Sequence, residues 1–300
     1  MVAIAAVVAC TGDSSTTDST ADAGHDSGPG IDSGGQNTVD GSTFDAGSGN
    51  TVDGSTFDAG PPPPSPPSSL GGRLVFWFSA DKGYDTDGGS AIWKDQSPAG
   101  NDAVQALPIA IPPLFDGGTG VNGHPALHFS GAQFLQMADN ASLQWAQSDF
   151  SVFMVERHTN SEQLYALLYA KWTDTGVFPG FFLWANYPTT NGPVTRLDTL
   201  NVVYGPDAGN DGVARVVGAR KNAADLQLYS AGVLVGEKAD ASVTDNAGFN
   251  AATIPAYIGG RPQGIQMLQG DIAEVIGVKG TLTDPELANL QAYLKKKYGL

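Results

Sequence analysis

From Arg73 onward, apolar residues arrive in short runs separated by Gly, Pro, Asn and Asp. "RLVFWFSA", "HPALHFSG", "DFSVFMVERH", "QLYALLYAKW", "GFFLWANY", "GVARVVGARK", "LQLYSAGVLVGE", "IPAYIGG" and "GDIAEVIGVKG" are rich in β-branched and aromatic residues, the pattern of strands closed off by turns. So many short strands with almost no 3.6-residue periodicity predict an all-β fold, a two-sheet antiparallel sandwich or jelly roll. "LYSAGVLVG" predicts a hairpin with Ala231 and Gly232 near its turn. Only the end of the chain has a helical pattern. Thr283 and Glu286 have the spacing of a capping box and Pro285 sits near the first helical position. Leu287, Leu290 and Leu294 share one face, Lys295–Lys297 suit the negative end of the helix dipole, and Gly299 suits the C-terminal cap.

Before Arg73 the pattern vanishes. Residues 11–72 are mostly Ser, Thr, Asp, Gly and Pro, a composition that buries too little to offset its ordering entropy. They read as a disordered linker. "NTVDGSTFDAG" occurs twice in it, from Asn37 and from Asn50, and "PPPPSPPSS" near its end favours an extended spacer. Two copies are fewer than a stacked repeat fold needs, so the duplication reads as linker. Residues 1–10 are an apolar run closed by Cys10. "VVAC" resembles a bacterial lipobox, which would make Cys10 a lipidation site. No Lys or Arg precedes it, so a complete signal would need a basic segment upstream of Met1; the alternative is a frayed apolar terminus with a chance cysteine.

Charge sharpens this division into 1–10, 11–72 and 73–300. The chain carries 31 acidic and 15 basic residues, a formal −16; nine of the acids and none of the bases precede Arg73, leaving −7 for the remainder. Neither part is basic, which argues against a nucleic-acid partner.

Four segments carry a family resemblance: "LVFWFSADKG", "IWKDQSPAGNDAVQ", "NGHPALHFSG" and "GDIAEVIGVKGTLTDPELANLQAYLKKKYGL". They resemble the concanavalin A-like, laminin-G-like jellyroll domains of bacterial surface and secreted proteins. The resemblance implies two packed antiparallel sheets, an extracellular or cell-envelope setting, and commonly a glycan or another extracellular polymer as partner. It implies no particular ligand.

Candidate chemistry is sparse. Asp271 and Glu274 lie three apart in one strand. Side chains alternate between faces, so the pair is expected on opposite sides of the sheet unless a bulge intervenes. Glu274 is expected to be half-buried, bound by a backbone N–H or an Arg. None of the five glutamates begins an E-x-D-x-E pattern, so no catalytic residue is assigned. "GTGVNG", Gly118–Gly123, lacks the strand before and helix after that a dinucleotide site needs, and reads as a turn. His124 and His128, about 13 Å apart along a strand, do not share a metal ion. Asp81, Asp85 and Asp87 stand in "DKGYDTDGG", where a calcium ion would find oxygen ligands; the competing reading is a polar turn. Trp172, Trp184, Asn186 and Tyr187 are the candidate carbohydrate contacts. Aromatic faces cover sugar C–H surfaces, an amide takes hydroxyls, and Trp184 and Asn186 are expected on one side of a strand.

Three functional readings follow: a lipid-anchored, non-catalytic surface protein that binds carbohydrate or another extracellular polymer, a glycoside hydrolase or polysaccharide lyase of the same fold, and a protein-binding adhesion module.

Overall fold

The computed structural model describes residues 63–145, 148–158, 165–172, 180–198, 200–207, 212–241, 253–264 and 266–300, all within the unit Ala59–Leu300. Cys10 and the linker as far as residue 62 lie outside them. In chain order the strands are β1 (Leu74–Ser79), β2 (Tyr84–Asp87), β3 (Ser90–Trp93), β4 (Ala103–Gln105), β5 (Leu114–Phe115), β6 (Ala126–Ser130), β7 (Leu135–Met137) and β8 (Phe150–His158). They continue with β9 (Ala166–Trp172), β10 (Gly180–Asn186), β11 (Val194–Leu197), β12 (Asn201–Tyr204), β13 (Arg215–Asn222) and β14 (Asp225–Ser230). Last come β15 (Val233–Lys238), β16 (Ala256–Ile258), β17 (Gln269–Lys279) and the helix α1 (Asp284–Tyr298).

Two antiparallel sheets result. The first runs β15-β14-β13-β8-β17-β6-β5, with β1 also paired to β17; the second runs β12-β11-β10-β9-β16-β7-β4-β3-β2. Their facing sides share the main core, in which Phe76 of the first sheet stacks on Tyr169 of the second at 5.4 Å and Phe150 meets Phe181 edge-on at 4.8 Å. The other side of the first sheet is covered by α1. Leu287, Leu290, Leu294 and Tyr298 pack there against Leu74, Phe153, Val155, Val216 and Ile276. Every strand-like run from Arg73 on holds one or two of these strands.

Local predictions at the turn and the helix hold in detail. Ser230 pairs with Val233 across a two-residue loop in which Ala231 and Gly232 have φ of 50° and 74°, as the primed hairpin turns require. The Thr283 N–H donates to Glu286 Oε2 at 3.0 Å, and Gly299 closes α1 in the left-handed region. "GTGVNG" is a turn. A Cβ on Gly120 would fall 1.9 Å from the His124 carbonyl oxygen, so only glycine fits there.

Two differences from the sequence reading stand out. Residues 63–72 were expected to belong to the disordered linker, yet Pro67–Arg73 forms a 3-10 helix and Leu70 is buried in the α1-side cluster. The Ser65 N–H also donates to Asn289 Oδ1 at 3.0 Å. Pro67 and Leu70 are both buried, which pins the segment. The strand-like runs also leave out β2, β3, β4, β5, β7, β11 and β12, each only two to four residues long and most of them toward the ends of the sheets.

Candidate functional site

The two carboxylates of β17 do share a face, against the expectation. Ile272 pairs with Glu156 and Glu274 with the next residue back, Val155, so Ala273 is an extra residue, a bulge. Ile272 and Val275 enter the core between the sheets, whereas Ala273 and Ile276 face α1. Glu274 faces α1 too, and it is fully buried, with partners other than those expected. It accepts from Trp77 Nε1 at 2.7 Å, Lys297 Nζ at 2.7 Å and the Tyr298 hydroxyl at 2.8 Å. Burial and the Glu274 charge together push the Tyr298 phenol far above its ordinary range, so it stays a donor. Lys297 is thus an internal partner and not part of a solvated lysine face.

Asp271 has a separate set. It accepts from Arg157 Nε at 2.9 Å and Nη2 at 2.7 Å, and His128 Nδ1 lies 2.8 Å from its other oxygen. Both carboxylates are therefore held in place by structural partners. Neither lines the two larger clefts described below.

The three aspartates of the calcium reading are not brought together. Asp81 contacts Lys297 Nζ at 2.7 Å and His124 Nδ1 at 3.5 Å. Burial pushes its carboxyl up, but the hydrogen bond and charge of Lys297, with His124 and Ser79, hold it below the ordinary carboxylate value. Asp85 and Asp87 are exposed on β2, the edge strand of the second sheet, where charge blocks further strand pairing. Among the described residues, no three His, Cys, Asp or Glu side chains gather as metal ligands would. His124 and His128 likewise have different partners.

The aromatic run of β9 and β10 does assemble a site. Tyr169, Phe181 and Leu183 point into the main core, so the alternate residues Trp172, Phe182 and Trp184 emerge on the other side of the second sheet. There they form a ladder: Trp172 to Phe182 at 4.4 Å, Phe182 to Trp184 at 4.8 Å and stacked nearly parallel, and Trp184 to Tyr187 at 5.5 Å. Tyr257 and Tyr204 extend it at either end, at 6.2 Å and 5.6 Å. Such offset and edge contacts favour aromatic rings by about 0.5–1.5 kcal/mol per pair beyond burial.

A cavity of about 150 Å³ sits on this ladder. Its floor is Trp172, Phe182 and Trp184, all nearly buried; its rim is Tyr165, Tyr187, Arg196, Arg261 and Gln266, all half-buried. The Arg261 guanidinium lies 3.7 Å over the Trp172 ring and that of Arg196 lies 5.9 Å from the Phe182 ring. Burial, with the neighbouring Tyr165 and Tyr204 phenols, raises the Tyr187 pKa, so its hydroxyl remains a neutral donor. Trp184 Nε1 and Gln266 Oε1 are buried with no hydrogen-bond partner. An unmet buried donor and acceptor each cost about 1–3 kcal/mol, which a ligand or water in the cavity would relieve.

Of the four candidate sugar contacts, the cavity unites Trp172, Trp184 and Tyr187. Asn186 is 1% exposed and does not line it. The β9–β10 register also shifts between Trp184 and Asn186. Tyr165, Arg196, Arg261 and Gln266 were not foreseen. They come from three chain segments far apart in sequence, and only Tyr165 stood next to an aromatic run. A larger cleft of about 520 Å³, lined by Asn122, Arg157, Val213, Arg215, Lys295 and neighbours, carries no aromatic ring.

No family model and no curated protein sequence matches the chain. Among solved structures, a Trypanosoma rangeli sialidase is similar at 16% identity and a TM-score of 0.48, over 74% of this chain and 33% of its own. The CBM40 of a Ruminococcus gnavus sialidase bound to α2,3 sialyllactose shares 16% identity, with a TM-score of 0.43, over 60% of this chain and 96% of its own. The binding domain of Paraclostridial Mosquitocidal Protein 1 shares 12% identity, with a TM-score of 0.44, over 74% of this chain and 52% of its own. The chain thus spans a third of the sialidase. At such identities and scores these likenesses assign neither a fold family nor a function. What the described residues define is a two-sheet antiparallel β-sandwich with the C-terminal helix over the first sheet and an aromatic cavity on the outer side of the second.

Proposed function

We propose that this chain is a non-catalytic carbohydrate-binding protein that takes one sugar ring of an extracellular polymer into the cavity of the second sheet. The observation that carries this reading is the cavity's make-up: an aromatic floor, a rim of phenol, guanidinium and amide groups, and two buried polar atoms without partners. Apolar rings suit the C–H faces of a pyranose, and the rim suits its hydroxyls. At about 150 Å³ the space holds roughly five waters and falls below the ~300–1,000 Å³ of a pocket that encloses a whole drug-sized ligand. A single ring of a longer chain matches that size.

Arg261 already covers the face of Trp172, so the ligand contacts assigned here are Tyr165, Tyr187, Arg196, Arg261 and Gln266, with Trp172 and Trp184 as the floor. The described lining holds no carboxylate, and a hydrolase needs two about 5–9 Å apart across its substrate; this favours binding over cleavage. In the same proposal the sandwich is a concanavalin A-like jellyroll of a cell-envelope protein. Cys10 is its lipid attachment point, and the low-complexity segment before residue 63 is its spacer. Calcium has no assigned part.

The test is affinity electrophoresis of the full chain through gels containing plant, algal and bacterial polysaccharides, with reducing-end release measured alongside. Retardation without release is expected. Free mobility in every gel defeats the binding reading, and release of reducing ends defeats the non-catalytic one.

A further inference from the structure

Resting on that carbohydrate reading, we infer that Gln266 selects the ring: the cavity takes a neutral sugar that gives a donor, a hydroxyl or an acetamido N–H, to Gln266 Oε1 and an acceptor oxygen to Trp184 Nε1. The other polar groups of the described lining already have partners. Arg196 Nε donates to the Asp198 carbonyl at 2.9 Å, Arg261 lies on Trp172 and holds a further contact, and the Tyr165 and Tyr187 phenols share a hydrogen bond. What stays unmet in this lining is one buried donor, the Trp184 indole N–H, and one buried acceptor, Gln266 Oε1. A carboxylate or sulfate supplies acceptors alone and would set Gln266 Oε1 against lone pairs; an ammonium supplies donors alone and would leave the indole N–H unpaired. A ring whose uncharged groups both donate and accept meets the two together.

Both atoms are held in place. Trp184 is stacked on Phe182 at 4.8 Å and edged by Tyr187 at 5.5 Å, which fixes the direction of its N–H. Gln266 sits in the left-handed region at φ 55°, a conformation that costs a non-glycine residue energy and persists only where its surroundings impose it. Those surroundings include β9, because the Leu167 N–H donates to the Gln266 carbonyl at 3.2 Å. Leu167 is also the register partner of Trp184. Gln266 and Trp184 thus flank Leu167, two sheet spacings or roughly 10 Å apart at the backbone. A sugar ring, which carries polar groups on several carbons, spans such a separation and meets each atom with a different group.

Affinity electrophoresis of the full chain compares hydroxyethylcellulose, dextran, galactomannan and glycol chitin, each beside its O-methyl ether, with the charged polymers carboxymethylcellulose, polygalacturonate and glycol chitosan. Methyl ethers still accept but no longer donate, and they carry no charge. Their comparison therefore separates the Gln266 contact from the repulsion of polyanions by a chain of formal charge −16. The leading neutral polymer is expected to reach half-retardation at about tenfold lower concentration than its methyl ether or any charged polymer, in an order that added salt leaves unchanged. A lead by glycol chitin that its methyl ether keeps tells acetamido from hydroxyl, and Gln266→Met should then lower that lead about tenfold. For the other polymers Gln266→Met should erase the advantage over the methyl ether. Gln266→Asn, which tolerates the left-handed region and draws the oxygen back by one methylene, should act alike and stays informative if the first variant fails to fold, which a circular-dichroism melt reports. Trp184→Phe should weaken retardation yet keep the advantage. A charged polymer that retards the wild type as well as the leading neutral one, or a preference that survives both Gln266 variants, overturns the inference and leaves carbohydrate binding standing. Free mobility in all these gels overturns the inference; free mobility in every other polysaccharide gel as well overturns the reading beneath it.

Discussion

Lys297 Nζ, from the last turn of α1, sits 2.7 Å from Glu274 Oε2, in the middle of β17. The carboxylate is fully buried, whereas the lysine side chain keeps 21% of its exposure and also reaches Asp81 at 2.7 Å. One cation thus bridges two acids and clips the helix to the first sheet.

Lys297→Met should therefore leave a buried carboxylate uncompensated. Breaking such a pair costs about 3–5 kcal/mol, and the lower end applies because the lysine is partly exposed. The expected fall in melting temperature is roughly 6–12 °C. Adding Glu274→Gln to the same chain should restore a large part of it, since the neutral amide no longer needs a cation. A thermal melt of both variants checks this; no recovery in the double variant would mean that lost packing, and not charge, is the cause.

Deleting Ala273 removes the bulge and forces strict alternation along β17. Residues on one side of the deletion then exchange faces, which puts either Asp271 into the core or Ile272 out of it. Loss of the cooperative melt and of near-ultraviolet circular dichroism is expected, whereas Ala273→Ser, which keeps the backbone count, should fold.

Acid stability should depend on Glu286. The hydrogen bond from Arg73, then those from the Thr283 backbone and hydroxyl, hold its carboxyl down at about 2. A folded-state pKa below the unfolded one means that the stabilisation is present above about 4.5 and is lost as pH falls toward about 2. Both side chains are about a third exposed, so solvent screening reduces the contribution to about 1 kcal/mol. Melting temperatures of the wild type should therefore fall more steeply between pH 5 and pH 2 than those of Glu286→Gln. Parallel curves would contradict the assignment.

At the cavity, Tyr187→Ala removes a half-buried rim ring and one donor, and Trp184→Phe removes the partnerless indole N–H while keeping a floor ring. The first should weaken polysaccharide retardation about tenfold, or about 1.4 kcal/mol, and also lower the melting temperature, because the ring contacts with Trp184 and Tyr204 are lost. The second should weaken binding less and stabilise the empty protein slightly, because a buried unmet donor disappears. Melts and affinity gels of the same preparations separate the two effects.

What the sequence by itself determined was whatever depends on neighbours along the chain. Alternation and β-branched content marked the long strands, Ala231-Gly232 marked the hairpin turn, and Thr283, Glu286, Leu287, Leu290, Leu294 and Gly299 marked the helix and both its caps. These are local preferences, and the fold agrees with them. Only the tertiary structure decided the rest. The bulge at Ala273 comes from register against β8 and turns Glu274 toward α1, which no spacing rule announces. Leu70 is pinned by helix residues more than two hundred positions away. The cavity needs Arg196 from β11, Arg261 and Gln266 from beyond β16, and Tyr165 beside β9. Because separate strands bring these groups together, the aromatic floor was legible as a run in one segment, while the charged rim that gives the cavity its chemistry was not.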